Sequence, residues 1–156
     1  MKPSSPAEYH DDPYRISTDP ARLDRDFIHH WLADVSYWAQ GRPRDVVDTS
    51  IEHSVCFGVY EGGQQIGSDR QVGFARLVTD QATFAWLCDV FIAEAYRGRG
   101  LGKWLIGCIS DYANEHFPHA LFLLATRDAH GLYRDYGGFA PLDNPEKWMA
   151  RRKPRA

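Results

Sequence analysis

Tyr96-Arg97-Gly98-Arg99-Gly100-Leu101-Gly102-Lys103 follows the apolar run Phe84-Ala85-Trp86-Leu87-Cys88-Asp89-Val90-Phe91-Ile92 and opens the helical stripe Leu101, Trp104, Leu105, Cys108, Ile109, Tyr112. A strand, a glycine-rich turn and a helix therefore succeed one another directly. A helix N-terminus carries unpaired N–H groups and a partial positive charge, which attract phosphate oxygens. Glycines allow positive φ and close approach of the backbone to a ligand. Arg97, Arg99 and Lys103 add positive charge at the same place, and the stretch reads as a pyrophosphate cradle.

Spacing excludes two common cradles. A P-loop requires a glycine five residues before its Gly-Lys pair and a hydroxyl after it. Those positions hold Arg97 and Trp104. The dinucleotide fingerprint G-x-G-x-x-G would need glycine at Lys103. The remaining fit is Gln/Arg-x-x-Gly-x-Gly/Ala. Preceded by a buried strand and followed by a helix, that pattern resembles the coenzyme A pyrophosphate loop of the GNAT superfamily of acyl-CoA-dependent N-acetyltransferases. Leu132-Tyr133-Arg134-Asp135-Tyr136-Gly137-Gly138-Phe139 is similar to the superfamily's late helix, in which a Leu-Tyr pair precedes a Gly-Phe.

The 156 residues suit one domain, which buries roughly 70% of its unfolded surface. Hydrophobic residues at 44% and charged residues at 25% are ordinary for a globular chain. A net charge of −3 gives no global attraction to nucleic acid or anionic membrane. The basic tail Arg151-Arg152-Lys153-Pro154-Arg155 reads as a solvated terminus, and the single R-G-R-G occurrence disfavours RNA binding. Cys56, Cys88 and Cys108, each among apolar neighbours, read as buried free thiols of a reducing, cytoplasmic compartment. Neither Cys-x-x-Cys nor His-Glu-x-x-His occurs, so no metal is expected. The N-terminus Met1-Lys2-Pro3-Ser4-Ser5-Pro6 lacks the apolar core of a signal peptide, and no run approaches a membrane span.

Residues 1–12 are Pro-, Ser- and Asp-rich and are expected to be loosely held, ahead of a single domain over 13–156. Tyr14–Ser17 predicts a first strand. Asp19-Pro20 predicts a helix start, with the stripe Leu23, Phe27, Ile28, Trp31, Leu32, Val35. A second helix over roughly 43–53 would turn Val46, Val47 and Ile51 inward. Residues 55–60, 72–78 and 84–92 predict an antiparallel meander. The glycine-loop helix should stop at Pro118, and Ala120-Leu121-Phe122-Leu123-Leu124 reads as a strand buried on both faces. A helix near 128–136 and strands near 138–142 and 147–152 complete an α/β (α+β mixed) fold. Its mixed, mostly antiparallel sheet carries helices on both faces, matching the superfamily over nearly the whole chain.

The resemblance implies roles. Backbone groups of Val90, Phe91 and Ile92 would bind pantetheine, with the Ile92 N–H facing the thioester oxygen. The amides of Gly98, Arg99, Gly100, Leu101, Gly102 and Lys103, after Arg97, would hold the pyrophosphate. Tyr133 would protonate the departing thiolate, unless it only packs its ring. Thr126 stands where many members place an asparagine that touches the cofactor. Gly137-Gly138 carries one glycine more than the commonest form. Asp89 interrupts an apolar strand, where alternation puts it on the face of Leu87 and Phe91. It is either a base or ammonium ligand, or a partner in a structural salt bridge. His30, Trp31, Tyr37 and Trp38 are candidates to line the pocket of a small-molecule or peptide amine. The implied activity is acetyl transfer from acetyl-CoA by direct attack in a ternary complex. A non-catalytic acyl-CoA-binding or regulatory module on the same fold is the alternative, and a homodimer is an open expectation.

Overall fold

The computed structural model describes residues 5–65 and 67–152. Its sheet has six strands in the order β1-β2-β3-β4-β5-β6. These are β1 Glu8–Asp11, β2 Tyr14–Ser17, β3 Val55–Glu61, β4 Arg70–Thr79, β5 Phe84–Ile92 and β6 Leu121–Leu124. All neighbours are antiparallel except β5 and β6, which run parallel. The helices are α1 Arg25–His30, α2 Arg44–Glu52, α3 Leu101–His116 and α4 His130–Gly137.

One face of the sheet receives α3. Leu101, Leu105, Ile109 and Tyr112 share a face by helical spacing and pack on Phe57, Val59, Ala75, Leu77 and Leu87. Each such buried large side chain stabilises the fold by about 1.5–3 kcal/mol. The other face receives α1 and α2, where Ile28, Leu32, Val47 and Ile51 pack on Cys56, Phe74 and Phe91. The mixed sheet with helices on both faces is thus as expected, and so are the meander β3–β5 and the strand at Tyr14–Ser17.

Several local expectations are corrected. Residues 8–11, expected to be loose, form β1 and pair with β2 from Glu8↔Ser17 to Asp11↔Tyr14. Met1–Ser4 and residues 153–156 of the basic tail lie outside the described residues. Asp19 and Pro20 open only a 3-10 turn at Pro20–Arg22; α1 starts later, where the Asp24 carboxylate accepts from the Phe27 N–H at 3.0 Å. Beyond α1 the chain widens into a π-turn, Trp31–Val35, closed by the Ser36 N–H donating to the Trp31 carbonyl at 2.9 Å. The wider turn rotates Val35 out of the stripe, and it is exposed. In α2, Val47 and Ile51 face inward but Val46 faces solvent.

Among the described residues, no strand forms at 138–142 or 147–152. Pro141 and Pro145 remove ladder donors, and Pro145–Lys147 makes a 3-10 turn instead. The consequence reaches β6. Lacking a late neighbour, it is an edge strand, and Leu121 is half exposed rather than buried.

Candidate active site

The site begins with a defect in the ladder between β4 and β5. Phe74 pairs with Phe91 and Arg76 with Cys88, so Ala75 alone spans Asp89 and Val90. The extra residue is a β-bulge, with Asp89 in the left-handed region at φ 53°. The bulge reverses the alternation. Leu87 faces α3, whereas Phe91 faces α1 and α2. The simple alternation expected from sequence, with Leu87, Asp89 and Phe91 on one face, therefore does not hold.

Beyond the bulge, β5 has no strand partner on one side among the described residues. β6 pairs only with Phe84–Leu87, and its register ends at Leu87↔Leu124. The Ala93 N–H donates to the Val72 carbonyl at 2.8 Å, which makes that a hydrogen-bonded position. By the alternation of an antiparallel ladder, the N–H and C=O of Ile92 then point to the opposite, open side. Its carbonyl accepts from Arg97 Nε at 3.1 Å. Sheet splay thus exposes backbone where the sequence placed Val90, Phe91 and Ile92.

The glycine loop completes this opening. Gly98 and Gly100 have φ 78° and 80°, and Gly100 is the left-handed N-cap of α3. A Cβ at Gly98, Gly100 or Gly102 would meet nothing within 4 Å, so the glycines are not needed for packing. Among the described residues, the N–H groups of 98–103 have no protein acceptor. Unpaired N–H groups at a helix N-terminus are the arrangement that favours an anion.

A cleft of about 460 Å³ joins these parts. Val90, Phe91 and Ile92 line it, as do Arg97, Gly98, Gly100, Leu101, Gly102 and Lys103. So do Trp31, Trp38 and Tyr133 from the other candidates, with Tyr96, Ala129 and Leu132 in addition. Tyr133 is carried by α4, whose end is fixed by the glycine pair. The N–H groups of Gly138 and Phe139 both converge on the Tyr133 carbonyl, with Gly138 at φ 72°. A Cβ on Gly137 would lie 2.8 Å from the Phe139 ring and 3.0 Å from Ile106. One glycine therefore caps α4 and the other lets it lie close to α3. Burial, and then the neighbouring Tyr37, pushes the Tyr133 phenol up to about 12, so it carries its proton at neutral pH.

Other candidates lie outside the cleft lining. Arg99 donates to the Tyr14 hydroxyl at 2.6 Å and sits over the Tyr96 ring, so its side chain braces the loop against β2. Thr126 Oγ1 accepts from the Ala129 N–H at 3.1 Å, a local turn ahead of α4. His30 pairs with Asp34 at 2.8 Å on an exposed helix face. Tyr37, half exposed, packs edge-on to Trp38 at 5.1 Å with the Arg127 guanidinium over its ring.

Asp89 is buried and fully engaged. Its Oδ1 accepts from Trp38 Nε1 at 3.1 Å, and its Oδ2 from Arg42 at 2.8 Å and Arg76 at 2.9 Å. Burial alone would raise its pKa; the two guanidinium groups outweigh that and hold it below the usual carboxylate range. Of the two roles open from sequence, the salt bridge is the one its contacts display. A carboxylate so stabilised is a poor proton acceptor. Sequence reasoning missed Arg76, although it is the one charged residue within 72–78 and stands beside a strand interrupted by an anion, a signal that could have found it. Arg42, between Gly41 and Pro43, gave no such signal. Burial pushes the thiols of Cys56 up to about 12 and of Cys88 and Cys108 up to about 11, which leaves them un-ionised at neutral pH.

A splayed β5, a glycine loop capping α3 and Tyr133 thus meet in one cleft, the arrangement expected of an acyl-CoA-dependent transferase. The chain matches the Acetyltransferase (GNAT) family over residues 17–139, and it belongs to that family. A Gibberella zeae protein described as an acetyltransferase is 32% identical over 139 residues, covering 80% of this chain and 78% of its own length. A GNAT-family structure from Xanthomonas campestris is 39% identical with a TM-score of 0.74, covering 95% of this chain and 96% of that one. A GNAT acetyltransferase from Elizabethkingia anophelis, solved with acetyl-CoA bound, shares the fold at 15% identity and TM-score 0.56, covering 81% and 76%. The protein is an acyltransferase of the GNAT type.

Proposed function

We propose that the protein transfers the acetyl group of acetyl-CoA to a primary amine by direct attack within a ternary complex. The observation that carries this reading is one cleft uniting unpaired loop amides, the open edge of β5 and Tyr133. The amides of residues 98–103, with Arg97 and Lys103, bind the pyrophosphate. The exposed backbone of Val90–Ile92 holds pantetheine, and the Ile92 N–H donates to the thioester oxygen as negative charge develops there. The amine nitrogen forms a bond to the carbonyl carbon and the carbon–sulfur bond breaks. Tyr133 gives its proton to the departing sulfur and regains one from water, while the new amide nitrogen loses its extra proton to water.

No carboxylate or imidazole is among the described residues lining the cleft. The amine therefore reacts in its neutral form, which the bulk solvent supplies. Asp89 serves as an anchor for Trp38 rather than as a base. The non-catalytic alternative has the same binding groups and differs only in turnover. Thermal melting with acetyl-CoA, coenzyme A and ATP tests the binding half, where a ligand at 100 times its Kd adds about 2.7 kcal/mol. Thiol release with an amine panel tests the catalytic half. No shift with either CoA ligand refutes the reading, and a shift without thiol release from any amine leaves only the binding module.

A cytoplasmic setting suits three free thiols. No helix among the described residues is long and apolar enough to cross a membrane. Pairing of two copies is favoured by the edge position of β6 beside exposed Leu121, Leu142 and Trp148. Sedimentation velocity showing a concentration-independent monomer would refute it.

A further inference from the structure

The part of the cleft walled by the α1 segment differs in character from the glycine loop. Trp31 stacks on Phe91 with centroids 4.0 Å apart and planes 3° from parallel. Trp38 leans on Trp31 at 5.6 Å. Leu132 and Tyr133 line the same cleft. Among the described residues, the charged side chains lining the cleft are Arg97 and Lys103, both cations and both beside the loop amides. Asp89, the acidic group against this wall, is only 2% exposed, and both its oxygens are occupied by Trp38, Arg42 and Arg76. The indole N–H of Trp38 is itself engaged by Asp89.

A ligand with a second positive charge would find cations in this cleft and, among the described residues lining it, no carboxylate to pair with. One rich in hydroxyls would lose hydrogen bonds to water and regain few, which costs free energy. A flat apolar amine loses little on entering and gains stacking area. On the reading that the protein is an amine acetyltransferase, we propose that its acceptor is an aromatic monoamine, an aryl or arylalkyl amine without a second charge. Its ring lies against Trp31 and Trp38, and its neutral nitrogen is the nucleophile. Trp38 is the specificity-determining residue and Asp89, through the indole N–H, is its positioning residue.

The test uses the full chain saturated with coenzyme A, titrated calorimetrically with 2-phenylethylamine, spermidine and a lysine-containing peptide. Thiol release with the same amines and acetyl-CoA is followed in parallel. The expected result is binding of 2-phenylethylamine and a kcat/KM at least about tenfold above those of the other two. Trp38→Leu should lower 2-phenylethylamine affinity by about tenfold or more, while Trp38→Phe, which keeps a ring, should lose less. Preference for spermidine or the peptide overturns the proposal. So does the absence of both binding and turnover of 2-phenylethylamine. Binding of 2-phenylethylamine with no thiol release supports the acceptor class and refutes the transfer reading instead. The wild-type comparison decides even if Trp38→Leu fails to fold.

Discussion

Replacing Asp89 separates an anchor from a base. One carboxylate oxygen receives Arg42 at 2.8 Å and Arg76 at 2.9 Å, and the other receives Trp38 at 3.1 Å. Asp89→Asn keeps the shape and an acceptor for the indole, and asparagine tolerates the φ of 53° better than most residues. It removes the charge and leaves two guanidinium groups facing each other. Breaking a buried ion pair by removing one partner costs about 3–5 kcal/mol. The arginine side chains retain 23% and 14% exposure, so water reaches them and the lower figure applies, about 3 kcal/mol. For a domain of this size that lowers Tm by about 6–12 °C. Asp89→Ala should lose about 1 kcal/mol more, since it strains the left-handed position and orphans the indole N–H. The charge also has a pH signature. Its folded pKa is depressed, so the stabilisation is complete above the unfolded carboxylate value of about 3.9 and fades as pH falls through the folded value. Wild-type Tm should therefore drop below about pH 4 more steeply than that of Asp89→Asn. Differential scanning calorimetry across pH, with thiol release well below both Tm values, reads each quantity. An Asn variant melting within about 2 °C of wild type, with turnover reduced a hundredfold or more, would refute the anchor assignment and restore the base.

Tyr133→Phe should lower turnover at least about tenfold while the acetyl-CoA-induced Tm shift persists; unchanged turnover would leave the ring only a packing role. Gly100→Ala places a methyl where φ is 80° and where no protein atom lies within 4 Å. It should cost about 1–3 kcal/mol of stability and weaken acetyl-CoA binding in calorimetry, because the strain falls on the loop amides. Since no carboxylate or imidazole is among the described lining residues, kcat/KM should rise with pH along the ionisation of the amine itself. Two amines of different pKa should then give profiles displaced by that difference, whereas a shared inflection would reveal an enzyme base.

The sequence made legible those parts of the site that depend on local backbone geometry. Gly98 and Gly100 announce positive φ in the chain itself, and the stripe from Leu101 to Tyr112 announces α3, so loop and helix could be placed without tertiary knowledge. Tyr133 was placed by resemblance, through the glycines that follow it. What escaped depends on relations between segments. The bulge at Asp89 is one extra residue relative to β4, a property of pairing that β5 alone does not encode. Arg42 reaches Asp89 from 47 residues away in a loop with no pattern to mark it. The π-turn hid in an ordinary helical stripe and betrayed itself only by exposing Val35.

These omissions share one location and one consequence. The bulge turns Asp89 toward the α1 side of the sheet, the chain beyond the π-turn brings Trp38 to meet it, and Arg42 and Arg76 hold its charge. On the proposed reading, the wall facing the acceptor is thereby assembled from three distant stretches, while the loop facing the donor is written in one. A donor that is the same for every member of a family can be served by a contiguous backbone motif, because its phosphates demand amides rather than particular side chains. Selectivity for an acceptor requires side chains at chosen distances, which only tertiary packing supplies. Substitutions at Gly98–Lys103 should accordingly alter acetyl-CoA affinity alike for every amine tested. Substitutions at Trp38, Arg42 or Arg76 should change the ranking among amines while acetyl-CoA affinity holds, and a uniform effect from both groups would argue that donor and acceptor sites are not separately built.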